Sequence, residues 1–131
     1  MKEQRIIRGV FCLFVMAVAF GAQGKEKPIS PISWGRCLRQ KPEFYASDEA
    51  IRIADNVLLY QRDTGGWPSN INMTRKLTEN EKDKIRKAKG KEDSTIDNKA
   101  THTQIRYLAK VYEATKLERF KQGFYNGVDY L

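Results

Sequence analysis

Ser94-Thr95-Ile96-Asp97-Asn98-Lys99-Ala100-Thr101-His102-Thr103-Gln104-Ile105-Arg106-Tyr107-Leu108-Ala109 packs polar chemistry onto the opening of a strongly patterned helix. Ile105, Leu108, Ala109, Val111 and Tyr112 recur at helical spacing, so the body of this segment reads as core. Asp97 and Asn98 are expected at the start of the helix, with Thr101, His102 and Gln104 in its first turns. A bound anion or metal is met at such a start, because the first N–H groups have no intrahelical partner. The residues alone leave a second role open: Asp97 or Asn98 is then only an N-cap, worth about 1 kcal/mol.

Working outward, Ser47 is a candidate N-cap for a helix from Asp48 to about Arg62, with Asp48 and Glu49 in its first turn. Its core face carries Ile51, Ala54, Val57 and Leu58. Thr64-Gly65-Gly66 stops that helix, and Trp67-Pro68 leads into an extended polar stretch through Asn72. Trp67 then has two roles open to it, stacking on a sugar ring or filling the core. Thr78-Glu79-Asn80-Glu81 fits a capping box, opening a charged helix that runs to Lys89 and stops at Gly90. A last helix starts near Leu117 and carries Phe120, Phe124, Val128 and Leu131, while Gly123 and Gly127 make it depend on tertiary packing. Sustained β alternation is absent, so the expected fold class is all-α, built from helix pairs joined by loops.

Lys2, Arg5 and Arg8 precede the apolar run Val10 to Phe20, and Ala22-Gln23-Gly24 supplies small residues after it, so residues 1–24 read as a cleaved signal peptide. The run is shorter than the roughly 20 residues a membrane span needs, so no membrane attachment is expected after its removal. Cys12 lacks the flanking small residues of a lipid-anchor signal. The expected location is secreted or periplasmic. Residues 25–33, with two prolines, read as a linker, and residues 34–131 as one domain. Losing three basic residues and one acid with the signal lowers the formal charge from +8 to +6. A basic exported chain favours an anionic polysaccharide over nucleic acid. Between Arg75 and Asp93 the eight basic and five acidic residues read as solvated surface, with too few aromatics among them for base stacking. Cys37 alone remains after processing, and with no His in a pairing motif it reads as a small buried hydrophobe rather than a nucleophile.

Trp34-Gly35-Arg36-Cys37-Leu38, the helix from Glu49 to Arg62, Gly65-Gly66-Trp67-Pro68 and Ser94-Thr95-Ile96-Asp97-Asn98 occur in one order that resembles the pectate lyases of polysaccharide lyase family ten. The resemblance covers about Trp34 to Leu131. It implies an (α/α) toroid, of which this chain carries the amino-terminal part, and calcium-dependent β-elimination of polygalacturonate, the backbone of pectin. It further implies Asp97 as a calcium ligand and Trp67, Asn70, Asn98, Thr101, His102 and Arg106 as substrate contacts. The family's base is an arginine that lies further along the domain, so no residue here is expected to act as one. The alternative is a non-catalytic module that keeps a polygalacturonate-contacting loop. An open portion of a toroid is also expected to expose an apolar helical edge prone to self-association. Two positions depart from the family's usual pattern: Ser69 replaces a lysine after Gly-Gly-Trp-Pro, and Lys99 replaces a glycine after Asp-Asn.

Overall fold

The structure, a computed structural model, describes residues 32–131. The expected signal peptide lies outside the described residues, as does the expected linker up to residue 31. Among the described residues every regular element is helical: α1 (Trp34–Cys37), α2 (Asp48–Tyr60), α3 (Glu79–Lys87), α4 (His102–Thr115) and α5 (Glu118–Tyr130), with 3₁₀ turns at Pro42–Ala46 and Asp97–Lys99. The domain is all-α, as the sequence pattern predicts.

Ser47 caps α2 by accepting the Ala50 N–H at 3.2 Å, and Asp48 and Glu49 face the positive end of the helix dipole. Ala50, Ile53, Ala54 and Val57 form its buried side. The helix stops at Tyr60, two residues before the expected end. Gln61 turns extended there, and its side-chain amide donates to the carbonyls of Gly65 and Gly123. Lys89 closes the same end, with Nζ 3.1 Å from Leu58 O and 2.9 Å from Gln61 O. Its burial pulls the ammonium below the usual lysine range. In α3 both bonds of the Thr78–Glu81 capping box are present and no residue is buried, so this is a solvated helix.

Helix α4 begins at His102, not at the expected Asp97–Asn98. Asn98, Lys99 and Thr101 have φ of 50°, 65° and 61°, backbone that a right-handed helix does not admit. Asp97 and Asn98 therefore sit in a separate 3₁₀ turn and neither caps α4. At the other end Lys116 turns left-handed, and α5 packs back against α4. A Cβ on Gly123 would lie 2.2 Å from Leu58 Cδ2, and one on Gly127 2.8 Å from Trp67 Cζ3. These two glycines weaken α5 as an isolated helix, yet they are what lets it close on the core.

The core joins Cys37, Tyr45, Ile53, Val57, Trp67, Met73, Tyr107, Leu108, Val111 and Phe120. Its polar atoms are used internally: Tyr107 Oη donates to Ala50 O and Tyr45 Oη to Cys37 O. Cys37 is fully buried, and burial more than the nearby Glu49 pushes its thiol up to about 11, so it packs as an inert hydrophobe. Tyr125, Val128 and Leu131 are exposed on the outer side of α5. Among the described residues no helix is long and apolar enough to cross a membrane.

Gly65 is the most constrained glycine, with φ at +93° and a Cβ that would fall 2.2 Å from the Asn126 carbonyl oxygen. Gly65→Ala is expected to cost at least about 1–3 kcal/mol. Gly90→Ala, whose Cβ would meet only Asp63 Oδ2 at 3.8 Å, is expected to stay within about 0.5 kcal/mol of the parent. Urea unfolding of the two variants checks both.

Candidate functional site

The two polar motifs singled out in the sequence lie side by side and are bonded to each other. Arg62 makes a two-pronged pair with Asp93 at 2.6 and 3.0 Å, holding that carboxyl below the usual carboxylate range chiefly through these hydrogen bonds. Thr64 and Ser94 hydroxyls meet at 2.7 Å, and Tyr130 Oη donates to Ser94 O. Thr95 N–H donates to Trp67 O at 3.0 Å. Trp67 N–H in turn donates to Thr101 Oγ1 at 3.1 Å, and that hydroxyl donates on to Thr95 O at 2.8 Å. Thr101 has φ 61° and ψ −62°, and His102 N–H reaches across it to Ala100 O at 2.7 Å. This is a γ-turn of the rare, strained hand. It survives in a β-branched residue because the hydroxyl is fixed from two sides and the side chain is fully buried.

Beside this junction opens a cleft of ≈ 720 Å³, within the roughly 300–1,000 Å³ usual for ligand sites. One wall is the segment Pro68–Asn72, another runs from Asn98 into the first turns of α4, and the third is α1 with Arg39 just beyond it. Its lining holds three cations, Arg39, Lys99 and Arg106, and no carboxylate. None of the three pairs with an acid among the described residues, whereas Arg52, Arg62, Arg75, Lys82, Arg86, Arg119 and Lys121 all do. Three unpaired cations in one concavity make a positive potential that attracts an anion.

Of the residues expected to touch substrate, Asn70, Asn98, His102 and Arg106 line this cleft. His102 Nδ1 lies 3.1 Å from Ala100 O, a contact that requires the proton on Nδ1 and leaves Nε2 as an acceptor. Trp67 and Thr101 do not line it. Trp67 is fully buried, its Nε1–H donating to Val57 O at 2.7 Å, so it has no face to offer a sugar. Thr101 spends its hydroxyl on the junction. Asp97 is exposed and just outside the lining, and its carboxylate bonds to no described residue. Trp34 and Arg39 do line the cleft, although the sequence marked Trp34 only as part of a shared motif and did not mark Arg39. The sole signal for Trp34 is Trp34-Gly35-Arg36-Cys37-Leu38, a stretch with no chemistry of its own until α4 is placed against it, and Arg39 lies one residue beyond it.

Among the described residues no group of three or more His, Cys, Asp or Glu side chains is placed to hold a metal ion. Calcium takes roughly six to eight oxygens, so Asp97 fits it only as one ligand of an ion shared with a substrate's own carboxylates. Lys99 has φ 65°, a conformation glycine adopts without strain, which gives a backbone reason for the glycine usual at this position in the resembling family.

A helical scaffold that presents an unpaired cationic cleft defines a protein built for an anionic ligand. The chain belongs to the pectic acid lyase family, whose sequence model matches residues 61–131, more than half of the chain. That span takes in the Gly-Gly-Trp-Pro loop, the strained turn and helices α4 and α5, while α1 and α2 precede it. No curated protein matches the chain.

Thr101→Val strands the buried Trp67 N–H and the part-buried Thr95 carbonyl and is expected to cost at least about 2 kcal/mol, whereas Thr101→Ser, which keeps the hydroxyl, is expected to cost about 1 kcal/mol or less. Unfolding midpoints separate the two. Lys99→Gly is expected to raise stability by about 1 kcal/mol through relief of the left-handed backbone, measured in the same way.

Proposed function

We propose that this chain supplies the polygalacturonate-binding cleft of a secreted or periplasmic, calcium-dependent pectate lyase of polysaccharide lyase family ten, its helix pairs forming part of an (α/α) toroid. One observation supports this above the rest: within a pectic acid lyase, Arg39, Lys99 and Arg106 line a cleft that no carboxylate lines. Polygalacturonate carries a carboxylate on every unit and meets that surface with complementary charge.

Arg106 is suited to clamp one uronate carboxylate, since a guanidinium matches its two oxygens. Asn70, Asn98 and His102 Nε2 offer hydrogen bonds to ring hydroxyls. The reaction of such lyases removes the proton at C5 and breaks the bond between C4 and its oxygen, leaving an unsaturated uronate. When bound, calcium would neutralise the uronate carboxylate and ease the build-up of negative charge beside it. Asp97, next in sequence to the lining residue Asn98 and with its carboxylate bonded to no described residue, would share that ion with the substrate. We assign no base among these residues. Tyr125, Val128 and Leu131 on α5 are the face expected to take a second copy.

The test is incubation of the full chain with polygalacturonate, with calcium or with chelator, following both binding and the ultraviolet absorbance of unsaturated product. Binding that is selective for galacturonan, weakened by chelator and insensitive to chelator in Asp97→Asn is the expected result, without product. Product from this chain would mean that a base is present and unrecognised. Equal binding of any polyanion, indifferent to calcium, would sink the proposal.

A further inference from the structure

Helix α1 and the residue pair at its ends form a wall of the cleft that neither the matched residues nor the site motifs include. Trp34 is half-buried, and both its polar atom and one part of its ring are already engaged. Its Nε1–H donates to Thr103 Oγ1 at 3.1 Å, and its ring packs at 51° on Tyr107 with centroids 5.3 Å apart. The indole is thus held still while the rest of it lines the cleft, in contrast to Trp67, which is fully enclosed. A rigid, partly open aromatic ring beside polar groups suits the apolar C–H face of a sugar, because little side-chain freedom is lost on stacking.

Arg39 completes the wall. Its Nη2 lies 4.0 Å from where a Cβ of Gly35 would stand, so the guanidinium folds back over Gly35, the residue after Trp34. Gly35, between Trp34 and Arg39 in sequence, lines the cleft and contributes no side chain to it. Arg39 pairs with no described acid, and Arg106 stands on the wall formed by α4. A single uronate unit has these two features, an apolar ring face and a carboxylate, within one sugar.

We propose that Trp34 and Arg39 form a uronate-binding subsite, the indole carrying the ring face of one sugar and the Arg39 guanidinium its carboxylate. It rests on the polygalacturonate reading above, and adds a specificity element: the subsite selects the free acid over the methyl ester, because only a carboxylate accepts two charge-assisted hydrogen bonds from one guanidinium.

Titration of the full chain with an oligogalacturonate and with its methyl-esterified counterpart tests this, read by tryptophan fluorescence and by acrylamide quenching. Trp67 is enclosed, so any ligand-dependent protection reports Trp34. The oligogalacturonate is expected to protect Trp34. Arg39→Gln is expected to weaken the oligogalacturonate about tenfold or more while leaving the ester unchanged, and Arg39→Lys to recover part of the loss. Oligogalacturonate binding with no protection of Trp34 and full affinity in Arg39→Gln would overturn the subsite and leave the polygalacturonate reading standing. Failure of the parent chain to bind oligogalacturonate, or equal binding of a single-stranded oligonucleotide, would overturn both. Arg39 is exposed, so its variants are expected to keep the parent unfolding midpoint, and a matched midpoint ties the affinity loss to the lost contact.

Discussion

The Thr101 hydroxyl is the contact on which the site depends. It accepts from Trp67 N–H and donates to Thr95 O, so one buried oxygen joins the loop after α2 to the segment before α4. A buried backbone group left unpaired costs about 1–3 kcal/mol, and this hydroxyl pairs the buried Trp67 N–H as well as the part-buried Thr95 carbonyl. That constraint explains the strained turn around it. With the side chain fixed, the backbone at Thr101 adopts the γ-turn that lets His102 start α4 at the edge of the cleft.

Trp67 depends on the same arrangement. Its ring enters the core between α2 and α5, with Nε1–H on Val57 O and Gly127 close against its outer edge. Gly65, Gly66 and Trp67 therefore support the cleft without lining it, and Pro68 is the residue that does line it from the Gly-Gly-Trp-Pro turn. Its glycines serve the packing of α5: Gly65 accommodates the Asn126 carbonyl and Gly66 the Tyr130 ring. The other polar groups of the lining come from the rims, where Asn98 and Lys99 precede the strained turn, His102 and Arg106 follow it, and Trp34 of α1 and Arg39 just beyond α1 form a further wall.

Charge is distributed with the same division. Seven of the described cations sit in local pairs such as Glu79–Lys82 on α3 or Asp55–Arg119 between helices, where they neutralise nearby carboxylates. Surface pairs of this sort contribute little to stability. The three unpaired cations of the cleft stand together with no carboxylate in the lining, and their local field is the kind that draws an anion.

Local chemistry was legible in the sequence wherever it acts over a few residues. Ser47, the Thr78–Glu81 box and the 3.6-residue periods of α2 and α5 place those helices within a residue or two, because capping and amphipathicity are properties of short segments. The start of α4 was misplaced by five residues, since nothing in Asn98-Lys99-Ala100-Thr101 announces three positive φ angles that contacts elsewhere impose. Which polar residues face a ligand was likewise beyond the sequence. Thr101 and His102 are neighbours with the same polar look, yet one is consumed by Trp67 and Thr95 while the other opens onto the cleft. Sequence alone thus determined an all-helical, basic chain with a pectic acid lyase signature. Tertiary structure alone decided that Trp67 is core and that Trp34 and Arg39 line the cleft, because burial depends on what distant segments bring together.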